Sequence, residues 1–307
     1  MLGINLEGVN YPFPIQYITL TIQGEQLKMA YMDVKPQNAN GQTVVLLHGK
    51  NFNGAYWERT AQDLSIQGYR VVIPDQIGFG KSSKPEHIQY SFQLLARNTR
   101  AILDTLQINK INLLGHSMGG MLATRFALQY PDVVSKLILE NPIGLEDWKT
   151  KVGYQTIEEW YATELKQNYT QIRNYQLVNY YDNKWKPEYD RWVNLLAGPT
   201  TVVDYPRLAW NSALLYDMIF TQPVYYEFEN IKAPTLLIIG QRDRTALAKN
   251  KAPESVKATL GNYPALGKAA AKRIPNAQLV EIDNVGHLPH IEAYEKFIQP
   301  LTTFLKQ

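Results

Sequence analysis

Ile111-Asn112-Leu113-Leu114-Gly115-His116-Ser117-Met118-Gly119-Gly120 is the stretch whose reading decides the fold. Its first four residues read as a strand buried in a sheet, and the residues from 118 to about 129 read as a helix. Ser117 therefore sits where a strand turns sharply into a helix. Gly-x-Ser-x-Gly is a weak pattern taken alone, but this setting makes it specific. A corner this tight forces the serine into a strained backbone conformation, and bulky side chains two residues to either side would collide. Gly115 and Gly119 meet that demand, and Gly120 lets the helix approach the sheet. A serine that merely caps a helix would need only one small neighbour.

Outward from this corner, strand and helix alternate. Ile15 to Leu20 and Leu27 to Val34 alternate in polarity around Gln23-Gly24, as the two arms of a hairpin do. Thr43-Val44-Val45-Leu46-Leu47 is a continuous apolar run, the mark of a strand buried on both faces of a parallel sheet. A helical stretch near 54–67 precedes Tyr69 to Asp75, and Ser91 is placed to cap a helix carrying Leu94, Leu95, Ile102, Leu103 and Leu106. Val134 to Leu139 is the next strand. Between about 143 and 230 the rhythm breaks: no buried strand is evident, and aromatics gather, among them Trp148, Trp160, Tyr161, Tyr180, Tyr181, Trp185, Trp192, Trp210, Tyr225 and Tyr226. The core pattern resumes at Thr235 to Ile239 and again at Gln278 to Ile282, and a last helix covers about 293–305. The expected organisation is an α/β core over 1–142 and 231–307, its mostly parallel sheet covered by helices on both faces, with a helical cap inserted over 143–230.

Composition narrows the function classes. A chain of 307 residues, 45% hydrophobic and 19% charged, buries a large core and has room for one domain with a substantial insertion. Basic and acidic residues nearly cancel, 31 against 28, with no run of like charge, which gives no support to a nucleic-acid partner. No apolar stretch approaches the roughly 18 residues that cross a bilayer. Met1-Leu2-Gly3-Ile4-Asn5 lacks the basic-then-apolar pattern of an export signal. That reads as cytoplasmic for the chain as it stands, and as periplasmic or secreted if a leader has been removed. With no cysteine, disulfides and thiol catalysis are excluded, while either redox compartment remains suitable.

The order of Leu47-His48-Gly49-Lys50, Pro74-Asp75-Gln76-Ile77-Gly78-Phe79-Gly80-Lys81-Ser82, the Ser117 corner, Gly240-Gln241-Arg242-Asp243 and Gly286-His287 resembles the α/β-hydrolase superfamily over nearly the whole chain. The chain looks most like the capped bacterial group that holds small esterases, epoxide hydrolases, haloalkane dehalogenases and carbon–carbon-bond hydrolases. Dehalogenases and epoxide hydrolases carry aspartate at the corner; serine here disfavours both chemistries. The resemblance implies Ser117 as nucleophile, His287 as base and Asp243 as the acid that orients it.

A serine hydroxyl needs a base within hydrogen-bonding reach. Of five histidines, His48 and His116 flank glycine motifs and are expected to brace loops, and His87 is expected in solvent. His290 competes with His287, but Gly286-His287 matches the motif. For the acid, Glu140 at the end of the preceding strand is the alternative to Asp243, whose own bland reading is a surface partner of Arg242 or Arg244. Two oxyanion donors are needed. They are expected to be the backbone N–H of Met118, at a helix start, and that of Lys50, with Asn51 a lesser candidate. The Lys50 ammonium is expected in solvent rather than on an acidic substrate. The loop from Asp75 to Ser82 is given a bracing role, with Gly78 and Gly80 serving tight turns.

An aromatic-rich cap over a serine site favours a hydrophobic substrate, although most such rings pack the cap on the core. The leading expectation is hydrolysis of small or medium carboxylic esters through an acyl-enzyme. Alternatives are a carbon–carbon-bond hydrolase of aromatic degradation and a lactone or amide hydrolase. The carbon–carbon-bond relatives carry a cap arginine near the substrate's acidic groups, and Arg173, Arg191 and Arg207 are available. A catalytically silent binding protein is disfavoured because all three triad positions are filled. No cofactor or metal is implied, and the partner expected is a small ester-like molecule.

Overall fold

The computed structural model describes residues 2–307. Eight strands form one sheet: β1 Ile15–Ile22, β2 Glu25–Val34, β3 Thr43–Leu47, β4 Arg70–Pro74, β5 Ile111–His116, β6 Val134–Glu140, β7 Thr235–Gly240 and β8 Ala277–Ile282. Their order across the sheet is β1-β2-β4-β3-β5-β6-β7-β8. β1 pairs antiparallel with β2, and β2 antiparallel with β4; every pairing from β4 to β8 is parallel.

The apolar runs become strands because both faces are covered. Val45, Leu47, Leu113, Leu137, Leu139, Leu237 and Ile239 face one layer of helices: α2 (Phe92–Thr105), α3 (Met118–Gln129) and, later in the chain, α9 (Tyr263–Arg273). Val44, Leu46, Leu114, Ile138, Leu236 and Ile238 face the other, built from α1 (Glu58–Ile66) and the C-terminal α11 (Tyr294–Lys306). Successive side chains thus leave the strand in opposite directions and meet a helix either way, so no polar alternation is needed. Ser91 caps α2 as its position suggests, its hydroxyl accepting from the Leu94 N–H at 3.0 Å. The edge strand β8 is the least buried of the parallel set.

Between β6 and β7 the described residues contain no strand. The helices there are α4 Ile157–Glu164, α5 Tyr169–Asn179, α6 Asp190–Ala197 and α7 Tyr205–Thr221, with short 3-10 turns between them. Thr156-Ile157-Glu158-Glu159 starts α4 with a reciprocal cap: the Thr156 hydroxyl accepts from the Glu159 N–H and the Glu159 carboxylate from the Thr156 N–H. Trp160 of α4 stacks on Tyr216 of α7 with ring centroids 4.5 Å apart, joining these two helices. Two short helices complete the chain, α8 Glu254–Lys257 and α10 Pro289–Glu292. No helix among the described residues is long and apolar enough to cross a membrane.

Parallel strands carry their C-terminal ends to one edge, where open α/β sheets place their sites. Gly49-Lys50 follows β3, Ser117 follows β5, Asn141 follows β6, Asp243 follows β7 and His287 follows β8. Chain segments far apart in sequence thereby converge along this edge.

Candidate active site

Ser117 has φ 57° and ψ −121°, a conformation that only a tightly held corner sustains in a residue with a side chain. The glycines on either side explain how it is held. A Cβ on Gly115 would lie 2.0 Å from the Gly119 carbonyl oxygen, and one on Gly119 would lie 2.3 Å from the Leu47 carbonyl oxygen. β3, β5 and α3 meet here at a separation that admits no methyl group. The corner leaves the hydroxyl projecting from the sheet edge into a cavity of about 740 Å³.

His287 Nε2 lies 2.9 Å from Ser117 Oγ, and its Nδ1 lies 2.7 Å from Asp243 Oδ2. The structure thus brings the three predicted residues into one hydrogen-bonded chain, with His287 and Asp243 buried. Burial pushes the Asp243 carboxyl up. The His287 ring and hydrogen bonds from His287 and Thr245 outweigh it and hold the group below the usual carboxylate range. Arg242 ion-pairs with Glu292, and Arg244 reaches only backbone carbonyls, so neither occupies the Asp243 carboxylate. Glu140 takes a different partner: its Oε1 accepts from both the backbone N–H and Nδ1 of His290, each at 2.8 Å. The two alternatives that the sequence offers, Glu140 and His290, thus pair with each other.

Several residues at the site carried no sequence signal. Asn141 donates from Nδ2 to Asp243 Oδ2 at 2.8 Å while its Oδ1 accepts from the Gly240 N–H at 2.9 Å, so it fixes the carboxylate to the end of β7. Tyr56 links three segments. Its hydroxyl accepts from the Gly49 N–H at 2.9 Å and is hydrogen-bonded to His116 Nδ1 at 3.0 Å; His116 Nε2 lies 2.8 Å from the His287 carbonyl oxygen. A carbonyl can only accept, so Nε2 carries the proton and the tyrosine O–H donates to Nδ1. Burial, reinforced by the His287 and His290 rings, holds His116 well below its ordinary pKa, so this neutral tautomer persists. His116 and His48 brace loops as expected; His48 Nε2 accepts from the Gln76 N–H. His87 is exposed. Tyr180, on the helical segment, lies over the His287 ring with centroids 5.0 Å apart.

The expectation for the Lys50 side chain is corrected. It does not extend into solvent: Nζ lies 2.7 Å from Ser212 Oγ and 3.4 Å above the Tyr216 ring, both on α7. Burial drives its pKa down to about 8, with Glu164 opposing the shift. The carbon chain turns inward because the α4–α7 pair stands over the loop after β3, a packing that no local pattern encodes. Gly49 lies against the corner, where an added Cβ would be 3.0 Å from Ser117 Cβ. Among the described residues neither the Lys50 nor the Met118 N–H donates to a protein acceptor.

A strained serine at a strand-to-helix corner, with an imidazole and a carboxylate in line, sits on a parallel sheet with a helical insertion. Residues 42–294 match the family model described as the alpha/beta hydrolase fold. The chain belongs to the α/β-hydrolase family. A probable hydrolytic enzyme from Pseudomonas aeruginosa PAO1 superposes with a TM-score of 0.98 at 53% identity, covering 99% of this chain and 98% of that one. A 2-hydroxy-6-oxononadienedioate/2-hydroxy-6-oxononatrienedioate hydrolase of Paraburkholderia phymatum is 29% identical over 304 residues, 95% of this chain and 96% of the relative. Lipase 1 of Psychrobacter immobilis is 28% identical over 279 residues, 88% of this chain and 78% of the relative. This α/β hydrolase is accordingly an enzyme, a hydrolase whose relatives include proteins named for carbon–carbon-bond and for ester cleavage.

Proposed function

We infer that this α/β hydrolase cleaves carboxylic esters of small or medium, largely apolar molecules through an acyl-enzyme on Ser117. The observation that carries the reading is the unbroken line Ser117 Oγ, His287 Nε2, His287 Nδ1, Asp243 Oδ2, at 2.9 and 2.7 Å, opening on one cavity. His287 takes the serine proton as the hydroxyl attacks the carbonyl and returns it to the leaving alcohol; Asp243 holds the imidazole tautomer and stabilises the imidazolium. The N–H groups of Lys50 and Met118 are free to receive the oxyanion, a contribution of roughly 3–4 kcal/mol for one donor. Water then repeats the cycle on the acyl-enzyme. Trp160, Tyr180, Trp192 and Tyr216, from the proposed cap over 143–230, supply walls rich in aromatic surface, while Trp148, Tyr181, Tyr189, Phe220 and Phe228 of that segment pack internally.

A fluorophosphonate probe is expected to label Ser117, and Ser117→Ala to reduce turnover of an activated short-chain ester below about one part in a thousand with circular dichroism unchanged. Activity persisting above that level places the nucleophile elsewhere.

The second reading, carbon–carbon-bond hydrolysis, is favoured by the similarity to the dienedioate hydrolase along the whole chain. Against it, none of the three cap arginines lines the cavity. Arg173 lies over Trp185, Arg191 pairs with Glu58, and Arg207 donates to the Lys84 carbonyl. Rates on a panel of esters of graded acyl length, lactones and a dienol diketone separate the readings.

A further inference from the structure

The residue after Gly49 does more than offer an N–H. Its ammonium is held against α7, at Ser212 Oγ and over the Tyr216 ring. Lys50 lines the same cavity as Ser117. Of its three N–H donors, one meets Ser212 Oγ, and the Tyr216 ring covers one side. Ser212 in turn donates to Glu164 Oε2, so the carboxylate stands one hydroxyl away from the ammonium and makes no direct ion pair with it. The cation is therefore enclosed, only partly compensated, and left with donor capacity. Charge along the cavity leans the same way: Lys50, Arg244, Lys249 and Lys257 line it, together with Lys84, which burial pushes down to about 7, against a single acid among the described lining residues, Glu164. A further polar group waits there. Gln176 is fully buried in the cavity wall, and neither its amide nitrogen nor its amide oxygen has a partner.

We propose that Lys50 is a specificity-determining residue whose ammonium receives a carboxylate on the acyl part of the substrate, so that the enzyme prefers anionic half-esters of short dicarboxylic acids over neutral esters of equal length. A half-buried, undercompensated ammonium favours an entering carboxylate, and an ionised hydrogen bond is stronger than a neutral one. Ser212 and Glu164 hold the ammonium in place when the site is free. Glu164 also limits the preference, because its negative charge opposes that of the substrate. The proposal rests on the ester-hydrolase reading for its turnover measurements.

The test compares kcat/KM for the 4-nitrophenyl half-esters of succinate and glutarate with 4-nitrophenyl butyrate and valerate. The native enzyme is expected to favour the charged member of each pair at least tenfold. Lys50→Met should lower that ratio at least tenfold whatever happens to the overall rate; Glu164→Gln, measured at pH 6 so that losing the acid that supports the ammonium does not discharge it, should raise the ratio severalfold. A purely structural lysine, tying the loop to α7, would lower both esters alike and leave the ratio where it was. A native ratio near one, or a ratio indifferent to both substitutions, overturns the proposal. If Lys50→Met fails to fold, the rise in Glu164→Gln decides. Binding of monomethyl succinate against methyl butyrate to the Ser117→Ala protein supplies an arm free of chemistry. Tighter binding of the anion there, with no turnover of any ester by the native chain, would sink the esterase reading and keep this one; equal binding would sink this one alone.

Discussion

Tyr56 illustrates how a residue outside the Ser117–His287–Asp243 line can brace it. Its hydroxyl is the atom through which the loop carrying Gly49, the strand end carrying His116 and the turn carrying His287 are tied together. Phenylalanine would fill the same space but strand a buried N–H and a buried ring nitrogen, each costing about 1–3 kcal/mol. Tyr56→Phe is therefore expected to lower kcat about tenfold per labelled active site while KM stays within twofold, and to lower the melting temperature. Normalising to fluorophosphonate-labelled serine separates the two effects. A kcat per site equal to that of the native enzyme would reduce Tyr56 to a packing residue. Asn141 belongs to the same scale: one side chain aligns Asp243 with the end of β7 by using both ends of its amide.

At the scale of elements, the site depends on how closely α3 lies on the sheet. Gly119 faces the backbone at the end of β3; an added methyl group would meet the carbonyl oxygens of Leu47 at 2.3 Å and His48 at 2.8 Å. Backbone cannot yield as a side-chain tip does, so the helix would have to lift away, opening the packing of Leu122 and Phe126 beneath it. Gly119→Ala is expected to lower the unfolding free energy by more than about 3 kcal/mol, or to leave no soluble enzyme. Gly153→Ala is the control: nothing lies within 4 Å of the added carbon, and a change within about 0.5 kcal/mol is expected. Urea midpoints measure both, and equal midpoints for the two variants would refute the close-approach argument.

For the whole molecule, the cavity exists because the helical segment stands over the sheet edge, and its electrostatics mix groups from both. Glu164 on α4 and the Tyr216 ring on α7 are the titratable groups beside Lys50, and Lys84, Tyr175 and Tyr205 line the same enclosure. Burial favours the neutral amine and Glu164 the ammonium; burial wins, and the pKa settles at about 8. The ammonium is the form present below that value. The preference for a carboxylate-bearing ester, taken as a ratio of kcat/KM, is thus expected to be greatest below about pH 8 and to fall above it. Half-ester carboxylates stay ionised throughout that range, and both esters share the same histidine. Lys84, pushed down to about 7 by burial, lines the same cavity, so the assignment to Lys50 also requires that the fall above pH 8 vanish in Lys50→Met. A ratio flat from pH 6.5 to 9.5 would count against this assignment.

The strands, the corner at Ser117 and the Gly286-His287 turn were legible in the chain because their signals are local. An apolar run with no polar alternation already states that both faces are covered, and Gly115 and Gly119 announce a corner before any contact is known. The choice of Asp243 over Glu140 leaned on motif order, and only the fold supplied the reason, by giving Glu140 its own histidine in His290. Tyr56, Asn141 and the inward turn of Lys50 were silent, since each depends on a partner sixty or more residues away. Local sequence reports which residues prefer a strand, a helix or a turn. Which side chains share an enclosure, and how far its low polarity shifts their charge, is decided when the helices between β6 and β7 close over the sheet edge, because the interactions that set charge and orientation run through space and not along the chain.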